Sequence, residues 1–274
     1  MDLLDHDIAS IAAFLSSERL STFQSITGSM REAILLHQQM LQLGTTLMSV
    51  TAVIEVAIRN AICERISTQL GGGWLRTPPA SFVWDRAEKS KIGIAESSAR
   101  KAVYAKMPHA VKKSLDAQVF PHGIPSGLTH DDISKERLKQ IVVADGQIIA
   151  QLTMAFWKRL FSSEYEYELW DRSLKYIFPD KKLKRSDIAT QFEEIYQARN
   201  RIAHHEPIYD KRLERVMSAT KFVLKNFGAR DSTGKTPLAK LLNNEMNLLD
   251  AKAEALKQKI NSFRQSTNAL VMPN

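Results

Sequence analysis

The chain has one cysteine, Cys63, in 274 residues. A lone thiol closes no intramolecular disulfide, and the amino-terminal run MDLLDHDIAS lacks the basic patch and apolar stretch of a secretory signal, so a reducing, cytoplasmic setting is expected. Eleven glycines and nine prolines are too few for collagen, a linker-rich array or a disordered chain. Strand alternation is nearly absent. Metal-ligand spacing is also missing: there is no His-x3-His and no Cys cluster, and His204 and His205, if helical, diverge by about 100°. GARDSTGKT, ending at Thr236, has five residues where a P-loop has four, and no strongly apolar strand precedes it. No metal or cofactor is therefore expected.

What is present is a folded, mostly helical chain, 44% hydrophobic, with a net charge of +8. The charge is uneven. Arg172 to Arg230 holds 14 basic and 7 acidic residues, and Arg86 to Lys113 holds 8 and 2, while the remainder is net acidic. Two basic segments on an acidic body fit a polyanion-binding surface, nucleic acid first and an anionic membrane second, against the plainer reading of a solvated charged face. Ala33 to Ile54 carries no charged side chain over 22 residues. His37, Gln38, Gln39 and Gln42 would each need a polar partner in hydrocarbon, so a buried core helix is expected here rather than a membrane span.

Apolar residues recur at intervals of three and four from about Met30 to Leu70, with only Gly44 interrupting, until Gly71-Gly72-Gly73 stops the pattern. This predicts one very long helix or two in tandem. Turns follow at 71–81 and 120–132, and the basic 70–135 stretch reads as an irregular insertion with short helices. Further helices are predicted over 147–160, from Ser186 to the histidine pair, and over 209–227. The organisation is then a single helical domain over 1–230 and a helical extension over 231–274. The stripe from Pro237 to Phe263 suits either a docking helix or a partner-binding face.

The informative string is QARNRIAHHEPIYD, Gln197 to Asp210. At about 100° per residue, Arg199 falls amid the stripe made by Ile188, Phe192, Ile195 and Ile202. A guanidinium there must meet a buried carboxylate, stacked aromatics or an anionic ligand. Asn200 and His204 lie one turn apart on another side, and Pro207 ends the helix through the restriction it puts on Glu206.

Arg199-Asn200-x3-His204 is the Arg-x4-His motif of the HEPN ribonucleases, and RNRIAHHEPI resembles the Abi-like (abortive infection) branch of that superfamily. VIEVAIRNAI at Val53 to Ile62, AFWKRLF at Ala155 to Phe161 and LWDRSLKYIFP at Leu169 to Pro179 carry the resemblance over roughly Leu35 to Phe227. It implies an all-α, HEPN-type helical bundle with a long N-terminal helix and an extra C-terminal helix, and metal-independent RNA cleavage. Arg199 and His204 match the catalytic pair and Asn200 its frequent polar companion, while His205 offers an Arg-x5-His alternative. In that chemistry a neutral histidine takes the proton of a ribose 2′-OH and the arginine neutralises charge on the attacked phosphate, leaving a 2′,3′-cyclic phosphate and a 5′-OH. Lys181, Lys182, Lys184, Arg185 and Arg201 are the expected RNA-contacting cations.

One departure concerns regulation: HEPN toxins neutralised by nucleotidyl transfer carry a tyrosine two residues after the motif histidine, and Glu206 stands there. RNAICE at Arg59 to Glu64 echoes RNRIAH, so Glu55, Arg59 and Asn60 either support the site as a degenerate second half or simply form a helix surface with an ordinary Glu55–Arg59 pair. The expected function is a defence or toxin endoribonuclease with RNA as partner, working as a homodimer and answering to an antitoxin protein or a small noncoding RNA. A non-catalytic RNA-binding protein holding a small structured RNA is the rival, and a helical scaffold a third.

Overall fold

The computed structural model describes residues 4–271, with side chains to 266. Within them the chain is all helical, and no strand occurs among the described residues. Helices α1 (Asp5–Leu15), α2 (Ser17–Thr27) and α3 (Met30–Leu70) open the chain. The apolar period over 30–70 becomes one continuous 41-residue helix, capped by the Ser29 hydroxyl on Glu32 N and ended at Gly71. α2 folds back on α3 through Gly28, whose φ of 74° suits a residue without a Cβ.

α4 (Arg86–Lys106), α5 (His109–Val119) and α6 (His130–Lys139) occupy the stretch expected to be irregular. The first of them corrects that expectation, since it runs 21 residues. Its buried face is Glu88, Ile92, Ala95 and Ala99, a single large apolar residue among small or polar ones, which leaves little periodic hydrophobicity to read. Glu88 is fully buried, accepting from the Tyr165 hydroxyl at 2.9 Å, with Lys91 at 3.4 Å and Arg159 at 3.7 Å. This polar knot ties α4 to the body.

The helix predicted over 147–160 is two: α7 (Asp145–Ile149) and α8 (Met154–Arg159). Ile148, Leu152 and Phe156 keep helical spacing across the break, and no Gly or Pro marks it, so periodicity could not show it. A 3₁₀ turn (Ser163–Tyr165), a π turn (Glu166–Asp171) and a second 3₁₀ turn (Leu174–Ile177) then lead to α9 (Arg185–Ala203) and α10 (Asp210–Asn226). Except for exposed Tyr176, the aromatics of AFWKRLF and LWDRSLKYIFP are core, with Phe161 5.1 Å from Phe192 and Trp84 5.7 Å from Phe156 between ring centres. The far end of α3 grips this region through Gln69 on the Glu168 carbonyl and Arg65 on the Tyr176 carbonyl.

α11 (Pro237–Leu241) and α12 (Asn243–Val271) close the chain. Met246, Leu249, Leu256 and Ile260 are buried, and Lys252 donates to Thr46 Oγ1 at 2.9 Å while Lys259 faces Glu32. α12 therefore runs antiparallel to α3, with most of its apolar residues spent inside the chain as a docking helix, while Leu241 and Leu248 face solvent. Among the described residues one helix, α3, is long and apolar enough to cross a membrane; its inward side is covered by α2, α9 and α12.

Candidate functional site

α9 begins where Asp187 accepts from Lys184 N at 2.9 Å and keeps helical bonding to its last turn. The end is built in detail. His205 N–H donates to the Ile202 carbonyl at 2.9 Å and Glu206 N–H to the Arg201 carbonyl at 2.8 Å, with His205 at φ 57°. These two bonds around one left-handed residue make a Schellman stop, with His205 in the place glycine usually takes and Pro207 just beyond. His204 is the cap residue, exposed and one turn past Asn200. From α2, Arg19 Nη1 donates to the His205 carbonyl at 2.9 Å, so the turn is fastened to the amino-terminal hairpin.

α9 crosses α3 closely at Gly44, where an added Cβ would lie 3.4 Å from Ile202 Cγ2. The glycine that interrupts the apolar run is what lets the histidine-bearing end of α9 lie against α3. Arg199 does not sit in a core, as its place in the stripe implied: its side chain is 37% exposed. By the last turns of α9 the buried side has drifted to Ala198, leaving Arg199 at its edge. Its partners are Glu55 Oε2 at 3.9 Å and Asn200 Oδ1 at 3.4 Å. Both contacts are long, so a guanidinium with five N–H groups is oriented and retains donors for an anion.

Glu55 therefore does adjoin the motif. No Glu55–Arg59 ion pair forms among the described residues, and Arg59 donates instead to Asn60 Oδ1 at 3.3 Å. Arg199 and His204 are not brought together: no bond joins them, because a regular helix turns them about 140° apart. Among the described residues, no group of three or more His, Cys, Asp or Glu side chains converges.

The expected RNA-contacting cations divide. Lys181, Lys182 and Lys184 are exposed. Arg185 is not available: its side chain is 13% exposed, donates to the Phe161 carbonyl at 2.7 Å and faces Glu166 at 3.3 Å. Arg201 is held by Glu206 at 2.9 Å. The causes differ: a carbonyl 24 residues away buries Arg185, whereas the turn after α9 folds the nearby Glu206 back onto Arg201, which stays partly exposed. The lysines sit at the opposite end of α9 from His204, about 27 Å away along a helix of 19 residues. Arg19 was missed altogether, since only the tertiary fold carries α2 to the end of α9. No family model matches the chain, and neither a curated protein nor a solved structure matches it.

Proposed function

We propose that this chain is a metal-independent RNA endonuclease of the HEPN type, acting as a defence or toxin effector from the cytoplasm. The observation that carries the reading is the end of α9: an arginine held loosely by Glu55 with donors to spare, and an exposed histidine one turn beyond it. A neutral imidazole at His204 can take the 2′-OH proton as a general base. Arg199 supplies charge where the attacked phosphate accumulates it, and Asn200 holds the guanidinium from one side.

Because the two side chains diverge, a complete cleft calls for two copies whose α9 ends face each other across a twofold axis, each giving an arginine and a histidine. The stripe of α12 is already covered by α2 and α3, so it offers no clasp for such a dimer. The separation of Arg199 from His204 within one chain also favours the rival reading, RNA binding without turnover. Inducing the wild type, Arg199→Ala and His204→Ala in bacteria and following growth and RNA integrity separates them. Growth arrest with fragmented RNA, lost in both variants at equal protein levels, supports cleavage; intact RNA with the wild type induced contradicts it.

A further inference from the structure

Folding gives the first basic segment a second wall. Arg100 and Lys101 of α4 and Lys135 and Lys139 of α6 line one solvent-open cleft of about 320 Å³ between the two helices, with Glu96 the single carboxylate in its lining. The walls are held in place from within. Arg137 of α6 donates to both carboxylate oxygens of Asp116 on α5, at 2.7 and 2.8 Å, and to the Tyr104 hydroxyl of α4 at 3.0 Å. One bidentate arginine therefore fixes α4, α5 and α6 together, so the cations stand on a preset frame.

Little inside the chain satisfies those cations. Lys101 makes no ion pair or hydrogen bond among the described residues. Lys135 meets Asp132 at 3.6 Å and Lys139 meets Glu136 at 2.6 Å, but their side chains are 70% and 63% exposed, and such solvated pairs are readily given up. Arg100 spends one Nη2 bond on Glu96, at 2.8 Å, and has further donors. At one end of the cleft lies Gly93, in the interior of α4, where glycine weakens a helix. An added Cβ there would meet nothing within 4 Å, so no neighbour in the chain requires the glycine, and its missing side chain leaves the cleft open.

Four cations against one carboxylate call for an anion. The lining has no aromatic ring to hold a nucleoside, and Leu138 is its only large apolar residue, too little for the apolar centre of a protein interface. Lys135 and Lys139 stand one turn apart, about 6 Å along α6, and so follow an extended chain of charges. Axes of neighbouring packed helices lie about 8–10 Å apart, so the cleft admits one strand, and a duplex would rest on its rim.

We propose that the cleft between α4 and α6 holds a single-stranded stretch of RNA by its phosphates, as a retention site separate from the end of α9. Contacts of this kind position the strand without reading its sequence. The inference takes RNA as partner from the ribonuclease reading, and it does not need cleavage.

The test uses the full chain with His204→Ala, so that probes stay intact, alone and with Lys101→Gln, Lys135→Gln and Lys139→Gln together. A control triple, Lys235→Gln, Lys240→Gln and Lys257→Gln, removes equal charge from exposed positions elsewhere. Melting curves confirm that the variants fold. Fluorescence polarisation over a salt series follows a short mixed-sequence RNA strand and the same strand paired to its complement, and calorimetry follows inorganic phosphate and poly-glutamate. The cleft triple is expected to bind the single strand about tenfold more weakly or worse, with a log–log salt slope smaller by about 2, at ~0.7 per lost phosphate contact. The control triple stays close to its parent, and the duplex loses little. Unchanged single-strand affinity, equal losses in the two triples, or a duplex as dependent on the cleft as the single strand overturns the assignment. So does binding of phosphate or poly-glutamate that only the cleft triple loses while RNA affinity holds. Cleft-dependent binding with RNA left intact by the wild-type chain removes the ribonuclease reading and keeps this inference; RNA cut by the wild type, with binding indifferent to the cleft, does the reverse.

Discussion

His205 sits at a left-handed position, and replacing it with glycine gives a stability change whose sign and size follow from the backbone. A residue with a Cβ in that conformation costs roughly 1–2 kcal/mol, and histidine is only moderately better tolerated than most. Glycine removes the clash and adds freedom to the unfolded chain, so the net gain for His205→Gly is expected at ~1 kcal/mol, while His205→Ala, which keeps a Cβ, gains nothing. Neither change touches the two turn-closing bonds, which use backbone atoms only, nor the Arg19 bond to the residue's carbonyl. Urea unfolding of the three proteins at pH 7, followed by circular dichroism, reads the difference as a shifted midpoint at constant slope. The reasoning is refuted if His205→Gly is less stable than wild type, because the α9 stop is then not the turn described. The same variants assign the base: RNA cleavage that survives at His205→Gly and is lost at His204→Ala leaves His204 as the proton acceptor.

Other outcomes follow from neighbouring contacts. Gly44→Ala places its Cβ 3.4 Å from Ile202 and trades that tight contact against better helix propensity, leaving stability within ~1 kcal/mol; Gly44→Val forces α9 away and costs ~1–3 kcal/mol by urea titration, and equal stability of the two would deny the close crossing. Reversing Lys181, Lys182 and Lys184 to Glu weakens RNA binding and flattens its salt dependence by about 0.7–0.9 log units per lost phosphate contact, whereas Arg185→Ala lowers stability by ~1.5–3 kcal/mol through its lost bond to the Phe161 carbonyl; filter binding and melting that rank them the other way would contradict the division of the cluster. His37 is held below its unfolded pKa, so the folded state prefers the neutral ring: its contribution is complete above pH ~6.5 and is lost as pH falls through the depressed folded value. Wild type therefore loses more stability than His37→Phe between pH 7.5 and 5.5 in thermal melts, and parallel profiles would show an unburied ring.

How much of this was legible depended on how local its cause is. α3, α9 and α10 announce themselves because Ile, Leu, Val and Phe carry a three-to-four period along each. α4 does not, because its buried face is built from two alanines, a lone isoleucine and a glutamate whose partners, Tyr165 and Arg159, lie far along the chain. The motif was readable at Arg199, Asn200 and His204, whereas the sequence left Glu55 open between a pair with Arg59 and a place at the site, and the exposure of Arg199 was not readable, since it turns on a small drift of the buried face at Ala198. Arg185 and Arg201 look as free in the sequence as Lys181; only folding brings the Phe161 carbonyl to the first, and a Schellman turn folds Glu206 back onto the second. The cleft between α4 and α6 needs Arg100 and Lys101 together with Lys135 and Lys139, and no spacing rule joins residues of two helices with α5 and its loops between them.

The most direct test of the ribonuclease account is the chemistry of the RNA ends. Purified wild type and His204→Ala are incubated with a defined RNA in EDTA, and the product termini are mapped by ligation before and after opening of cyclic phosphates. The account expects wild type alone to leave 2′,3′-cyclic phosphate and 5′-OH ends. Intact RNA, 5′-phosphate products, or the same cuts from His204→Ala would contradict it.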